Sequence, residues 1–542
     1  MIVGGFRTEF LLDIIKQAKV GSIVPVYTKV DYIKDSVGYF AKLSDYGRKK
    51  HSILLESADV IAKYGENSLG SANPCLKLQG CNERCEIIAL NDLGKNILEF
   101  LGDFDFCDEV EYSKNCIRGV LKPKQGLVSE DERLKLKTHM DIIRKVAFKF
   151  KPTLKPFMPY AGVFGIISYD FIDQFEVLPK NKKDELNDPD YELYFLDNLF
   201  LTNHKKQESY FIANALIMDE DRIKIYEDCL KTIDKYKKAI NSKVHASKIK
   251  KIKLKIKSDT SKEEFEDMVK KVKKHIVMGD VFQAVISRTF VVDYSSEPLD
   301  IYKNLRNLNP SPYMYFINTD LGILLGASPE TNLRVIGDKE KVVEIRPIAG
   351  TKPRGIIEGK IDKDLDSRYE TELKIDKKEL AEHAMLVDLA RNDIARISKP
   401  GTRYVDDPFI VEKYSHVQHL VSNVRGILRE DLDALHAYLA TMNMGTLTGA
   451  PKVEAMKIIR LVEKTKRNYY GGAVLYITPN GDLDSAIIIR SIRLKNGKAY
   501  IRAGAGVVYD SIPEKEFFET EKKAQACLKA IRVSEENECI IY

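Results

Sequence analysis

The 542-residue chain lacks the common nucleotide and acyl-transfer signatures. No G-x-x-x-x-G-K-[ST] loop occurs. AGAGVV at 503–508 has no third glycine and no helical pattern after it, which argues against a dinucleotide fingerprint. A G-x-S-x-G elbow is also missing, so no acyl-transfer serine is indicated. No apolar run approaches the ~20 residues that cross a bilayer. The N-terminal MIVGGFRTEFLLDIIKQ has acidic residues, a broken apolar run and no small-residue cleavage site, so no signal peptide is expected. These absences point to a cytoplasmic protein that does not act at a membrane. An excess of one charge is missing too: 86 cations against 80 anions leave only +6. A nucleic-acid binder normally carries a dominant basic face, so that class is set aside. The eight cysteines are scattered. Cys75, Cys81 and Cys85 (CLKLQGCNERC) lack paired C-x₂-C spacing and have no nearby histidine, so free thiols are expected rather than a metal.

What is present suits a large soluble protein. Hydrophobic residues make up 44% and charged residues 31%, enough for a sizeable core. The length predicts two or more domains, and the sequence divides near residue 255, giving regions 1–255 and 256–530. The lysine-rich KYKKAINSKVHASKIKKIKLKIKSD leads into the boundary. Its KIKLKIK alternates cations and aliphatics, as a half-exposed strand does. Without interleaved aromatics, an edge strand guarded by lysines is preferred over a nucleic-acid patch. Ser261 and Glu264 have capping-box spacing, and Phe265, Met268, Val269, Val272 and Ile276 then form a helical stripe. Further helices are predicted at about 376–396 and 450–464. The strands LGILLGA, YYGGAVLYIT, SAIIIRSIRL and AYIRAGAGVVYD follow, some joined by the short turns TPNGDL and KNGK, which favours antiparallel hairpins. The predicted fold class is α+β, without internal repeats or a low-complexity linker.

Several motifs carry chemistry, each with a plainer alternative. RPIAGTKPRG (346–355) brackets a hydroxyl with glycines and cations, as an anion-receiving loop would. KELAEHAMLVDLARND places Glu379, Glu382, His383 and Asp388 along one helix, and PEKEFFETEKKAQACLKAI places Glu516 and Glu519 at i and i+3. Carboxylates from two helices suit Mg²⁺, and equally suit a solvated face. Glu330 in GASPET is either a buried general acid or the first-turn acid of a short helix. His416 and His419 in HVQHLVSNVRG can be packed histidines or a base. Arg490 in IIIRSIR can take a carboxylate in bidentate fashion. Thr446 and Thr448 precede a helix N-terminus able to hold an anion. Together these parts would hold a small dicarboxylate.

In order, RPIAGTKPRG, GASPE, KELAEHAMLVDLARND, YSHVQHLVSNVRG, MNMGTLTGAPK, YYGGAVLYIT, DSAIIIRSI, AGAGVVYDS and EKEFFETEKKA resemble the chorismate-binding domain of anthranilate synthase component I. The resemblance runs from about residue 260 to 530. LLESAD (54–59) and NPSPYMYF (309–316) resemble the family's tryptophan-feedback motif, implicating Ser57, Pro312, Tyr313 and Met314. Thr448 and Ala327 replace serines common in the family.

The resemblance implies large, mostly antiparallel sheets in a sandwich flanked by helices, with two intertwined subdomains. It implies that chorismate reacts with ammonia to give anthranilate and pyruvate. Glu382 and Glu519 would hold Mg²⁺, with Glu516 adjacent. Gly350, Thr351, Tyr470, Arg490, Lys523 and the Gly504–Ala505–Gly506 backbone would hold chorismate. Glu330 would protonate the departing hydroxyl, His419 would assist removal of the carbon 2 proton, and Thr446 would line the site.

Aminodeoxychorismate synthases carry lysine where Ala349 stands, and isochorismate or salicylate synthases carry it where Gln283 stands. A tryptophan-sensing scaffold without catalysis is the reading from another class. No G-x-C-x-G turn holds a cysteine, so a separate glutamine amidotransferase subunit is expected to supply ammonia, as part of a heterotetramer.

Overall fold

The computed structural model describes residues 2–3, 6–57, 67–122, 129–156, 158–247, 252–414 and 417–536. Two 13-stranded sheets dominate it. Their strands pair antiparallel, except that Lys151–Pro152 runs parallel to Ser22–Ile23. Each sheet draws strands from both sides of residue 255. In the first, Ser52–Glu56 pairs with Tyr313–Thr319. In the second, Gly162–Ile167 pairs with Ala473–Ile477. The two halves are thus intertwined through backbone hydrogen bonds.

One apolar core lies between the sheets. Ile53, Leu69, Ile317 and Leu324 of the first sheet join Val163, Tyr194, Leu475 and Leu333 of the second. A second core packs helices on the first sheet's outer face, with Phe40, Tyr236, Tyr302, Ala524 and Ile531 among them. Strands buried on both faces, such as Gly162–Ile167, read as nearly continuous apolar runs.

The predicted helices form as Lys262–Met278, Lys377–Ala395 and Lys452–Val462. Glu264 N–H donates to Ser261 Oγ at 3.3 Å and Ser261 N–H donates to the Glu264 carboxylate at 2.8 Å, closing the capping box. Phe265, Met268, Val269 and Val272 are buried, with Ile276 packed at the margin. Both predicted hairpins form. From the lysine-rich stretch, Ile256–Ser258 becomes an edge strand; residues 248–251 lie outside the described residues.

One strand expectation fails. SAIIIRSIRL is two strands, not one: Leu483–Ile487 belongs to the second sheet and Ser491–Lys495 to the first. The chain crosses between sheets at residues 488–490, and it makes a similar crossing between Gly322–Ser328 and Thr331–Ile336. Cys75, Cys81 and Cys85 are free. Among the described residues, no group of three or more His, Cys, Asp or Glu side chains is gathered tightly enough to hold a metal.

Candidate active site

The two crossings between sheets bring two of the predicted site residues together. Glu330 lies on one and Arg490 on the other, and they are tied by Ala327 N–H to Arg490 O (3.1 Å) and Ile487 N–H to Glu330 O (3.1 Å). Arg490 has φ +51°, a conformation rare for a residue with a side chain and found where surroundings enforce it. Glu330 is 6% exposed, and its Oε1 is buried without a hydrogen-bond partner of good geometry. Burial pushes its carboxyl up to about 7, although Thr446, Lys523 and Arg490 nearby pull the other way. Near neutral pH it therefore holds a proton much of the time.

Around this acid stand the predicted substrate residues. Lys523 Nζ donates to Gly504 O at 3.0 Å and lies 3.6 Å from Glu519; an Arg490 N–H donates to Lys523 O at 3.2 Å. Burial lowers the proton affinity of both Lys523 and Arg490. Tyr470 is pushed up to about 12, chiefly by burial, so its phenol stays neutral. A Cβ on Gly504 would come within 2.9 Å of the Tyr470 hydroxyl, and one on Gly506 within 2.7 Å of Gln283 Nε2. Those glycines keep the 504–506 backbone open beside the side chains. Gln283 faces this backbone with a buried, unpartnered Oε1.

The stretch RPIAGTKPRG folds as the strand Ile348–Pro353, not as an anion-receiving loop. Its cations are already engaged: Lys352 with Glu372 at 3.0 Å, and Arg354 with Asp366 at 2.7 Å. Pairing with Val417–Ile427 shifts register between Ala349 and Thr351. Gly350 is the bulged residue, with φ +70°, and a Cβ there would approach Glu379 Oε2 to 2.9 Å. The bulge brings Gly350 O within 3.1 Å, and Thr351 Oγ1 within 3.0 Å, of His419 Nδ1. A carbonyl only accepts, so the bond to Gly350 puts the ring proton on Nδ1 and leaves Nε2 as the basic nitrogen. Burial, with Arg490 and Arg346 nearby, lowers His419 to about 4. His416 lies outside the described residues. His383 is a packed histidine, fully buried and 2.8 Å from Ser422 Oγ.

The helices Lys377–Ala395 and Pro513–Glu536 supply the carboxylates. Glu379 is raised by burial and by the charges of Asp376 and Glu519. Glu382 is raised by burial and by Glu379 and Glu516, with Lys378 opposing. The acids of the two helices therefore lie within electrostatic range of one another, although not as a compact cage. Mg²⁺ is usually bound by one or two carboxylates, with waters and substrate completing its octahedron, so this spaced set fits it. Glu379 belongs with the predicted three; its i, i+3 spacing to Glu382 was the available signal.

A cavity of about 320 Å³ lies between the sheets, away from these residues. Its walls include Ser57, Pro312, Tyr313 and Met314, together with Arg334 and Asp484. The predicted feedback residues therefore converge, although Ala58 and Asp59 lie outside the described residues.

The model for chorismate binding enzymes matches residues 111–529. The chain belongs to this family. Anthranilate synthase component 1 of Escherichia coli is 41% identical over 490 residues, covering 90% of this chain and 92% of that protein. The Haemophilus influenzae protein of the same name is 39% identical over 516 residues, covering 93% and 96%. The crystal structure of anthranilate synthase component I from Streptococcus pneumoniae superposes with a TM-score of 0.69 at 31% identity, covering 85% of this chain and 92% of that one. A menaquinone-specific isochorismate synthase from Escherichia coli, 15% identical with a TM-score of 0.62 and covering 96% and 98%, shares the family's fold.

Proposed function

We propose that the chain is the synthase subunit of anthranilate synthase, which joins chorismate and ammonia to give anthranilate and pyruvate at the entry to tryptophan biosynthesis. The observation that carries this reading is Glu330, a carboxyl buried at a crossing whose backbone is bonded to that of Arg490, with Lys523 nearby. A proton donor flanked by cations suits a dianionic substrate whose hydroxyl must leave as water.

Arg490, Lys523, Tyr470, Gly350, Thr351 and the Gly504–Gly506 backbone hold and orient chorismate. Glu382 and Glu519, with Glu516 and Glu379 beside them, would hold Mg²⁺. That ion would supply positive charge to offset the substrate's ring carboxylate. As ammonia bonds to carbon 2, the ring double bonds shift and the carbon 4 hydroxyl departs with the Glu330 proton. His419 Nε2 then takes the carbon 2 proton while pyruvate leaves and the ring aromatises. Thr446 lies beside Glu330 and tempers its affinity for the proton.

Ala349 and Gln283 support ammonia as the nucleophile, since neither supplies an amine or a strong base. A separate glutamine amidotransferase subunit delivers the ammonia, within a cytoplasmic heterotetramer. Residues 256–530 form the catalytic region. Residues 1–255 contribute Ser57 to the tryptophan cavity, where Arg334 and Asp484 offer partners for an amino acid's carboxylate and ammonium.

Product analysis tests the reading. The purified chain with chorismate, Mg²⁺ and ammonium should yield anthranilate and pyruvate in equal amounts, and nothing with glutamine. Aminodeoxychorismate or isochorismate as the product, or glutaminase activity from this chain alone, would refute it.

A further inference from the structure

Arg288, on the strand Gln283–Asp293, is 2% exposed, yet its ionic partner Glu521 lies at the surface with a side chain 48% exposed. Burying a guanidinium with so little compensating charge is costly. Aromatic rings supply part of the compensation: the guanidinium carbon is 3.9 Å from the centre of Phe517, 4.6 Å from Phe290 and 5.8 Å from Phe265. Nε donates to Thr520 Oγ1 at 2.8 Å, and the two terminal nitrogens donate to Ser258 Oγ and Glu521 Oε1, each at 3.3 Å. Thr520 is fully buried and donates to Phe517 O at 2.7 Å.

Phe517, Thr520 and Glu521 occupy one face of the helix Pro513–Glu536, at i, i+3 and i+4. Glu516 and Glu519 are the residues immediately before Phe517 and Thr520. A helix turns about 100° per residue, so fixing residues 517 and 520 also fixes the direction in which 516 and 519 project. The opposing acids, Glu379 and Glu382, stand on another helix and sense Glu519 and Glu516 electrostatically.

We propose that Arg288 is a positioning residue for the divalent cation: its grip on Phe517 and Thr520 sets the rotation of the Pro513–Glu536 helix and hence the placement of Glu516 and Glu519 against Glu379 and Glu382. The proposal rests on the magnesium reading above. Lysine cannot substitute, because a compact ammonium neither stacks flat on Phe517 nor presents the Nε donor at the same time.

The test measures metal binding directly, on the full chain, from the loss of the free Mn²⁺ electron paramagnetic resonance signal. Arg288→Lys and Thr520→Val should each weaken Mn²⁺ binding about tenfold or more, as loss of supporting contacts around a metal site does. The Mg²⁺ concentration for half-maximal turnover should rise in step, while kcat at saturating Mg²⁺ stays near that of the unmutated chain. Thr520→Val keeps the side-chain volume and carries the test if Arg288→Lys does not fold. Unchanged Mn²⁺ affinity with a lowered Tm would make Arg288 a structural clamp only, and overturn the proposal. No Mn²⁺ binding by the unmutated chain would overturn this proposal and the magnesium reading together, and it would be evident before any substitution is made.

Discussion

In the proposed reaction Glu330 must meet two demands that pull against each other: a buried carboxyl makes a good proton donor and a poor contributor to stability. Its folded-state value of about 7 stands above the ordinary 4.5. Between those values the folded chain keeps a proton that the unfolded chain has released. Its contribution to stability therefore falls as pH rises from 4.5 to 7 and stays lowest above 7. At about 1.4 kcal/mol per unit, the penalty is on the order of 3 kcal/mol. Glu330→Gln cannot ionise, so it should match the unmutated chain near pH 5 and exceed it in stability at pH 8. Anthranilate formation should fall by roughly 10²-fold or more at both. Unfolding in urea at the two pH values checks the first part, and an identical stability difference at both would mean the carboxyl is already ionised in the fold. In the unmutated chain, turnover should decline as pH rises through about 7.

Individual elements show how far local pattern reaches. The Ser261–Glu264 capping box and the two hairpins were legible because each is closed by residues a few positions apart. The cations of RPIAGTKPRG misled because their partners, Asp366 and Glu372, lie on a separate helix, Lys363–Ile375. SAIIIRSIRL misled for a related reason. A short β-prone stretch without Gly or Pro gives no sign of which sheet each end joins, so the crossing at Arg490 is visible only in three dimensions. The bulge at Gly350 combines both kinds of information. Glycine there is required by φ +70° and by Glu379 Oε2, which a Cβ would approach to 2.9 Å. Gly350→Ala should cost about 1–2 kcal/mol for the left-handed backbone. It should also push on Glu379 and loosen the bonds around His419 Nδ1. We expect turnover to drop by roughly tenfold or more, since small misplacements at a reacting centre are expensive, with only a modest loss in Tm. Full activity in this variant would show that the bulge does not set the site geometry.

Across the whole molecule, the interleaving of the two halves joins the cavity beside Ser57 to the candidate site around Glu330. Ser52–Glu56 pairs with Tyr313–Thr319, which pairs with Gly322–Ser328, and that strand runs directly into the crossing that carries Glu330. Tyr313, a wall of the 320 Å³ cavity, also has its hydroxyl 3.0 Å from Thr331 Oγ1, the residue after Glu330. A ligand wedged against Tyr313 would therefore reach the crossing that carries Glu330 through one side chain. Ser57→Phe should fill the cavity from its N-terminal wall and weaken tryptophan binding by about tenfold or more, equivalent to about 1.4 kcal/mol. Turnover without tryptophan should barely change, because Ser57 is not among the residues around Glu330. The chain contains no tryptophan of its own, so the ligand's indole fluorescence, excited beyond tyrosine absorption, reports binding with no indole background from the protein. Inhibition and indole binding should weaken by the same factor. If binding weakens while inhibition does not, tryptophan acts at a second place, and the cavity beside Ser57 is not the feedback site.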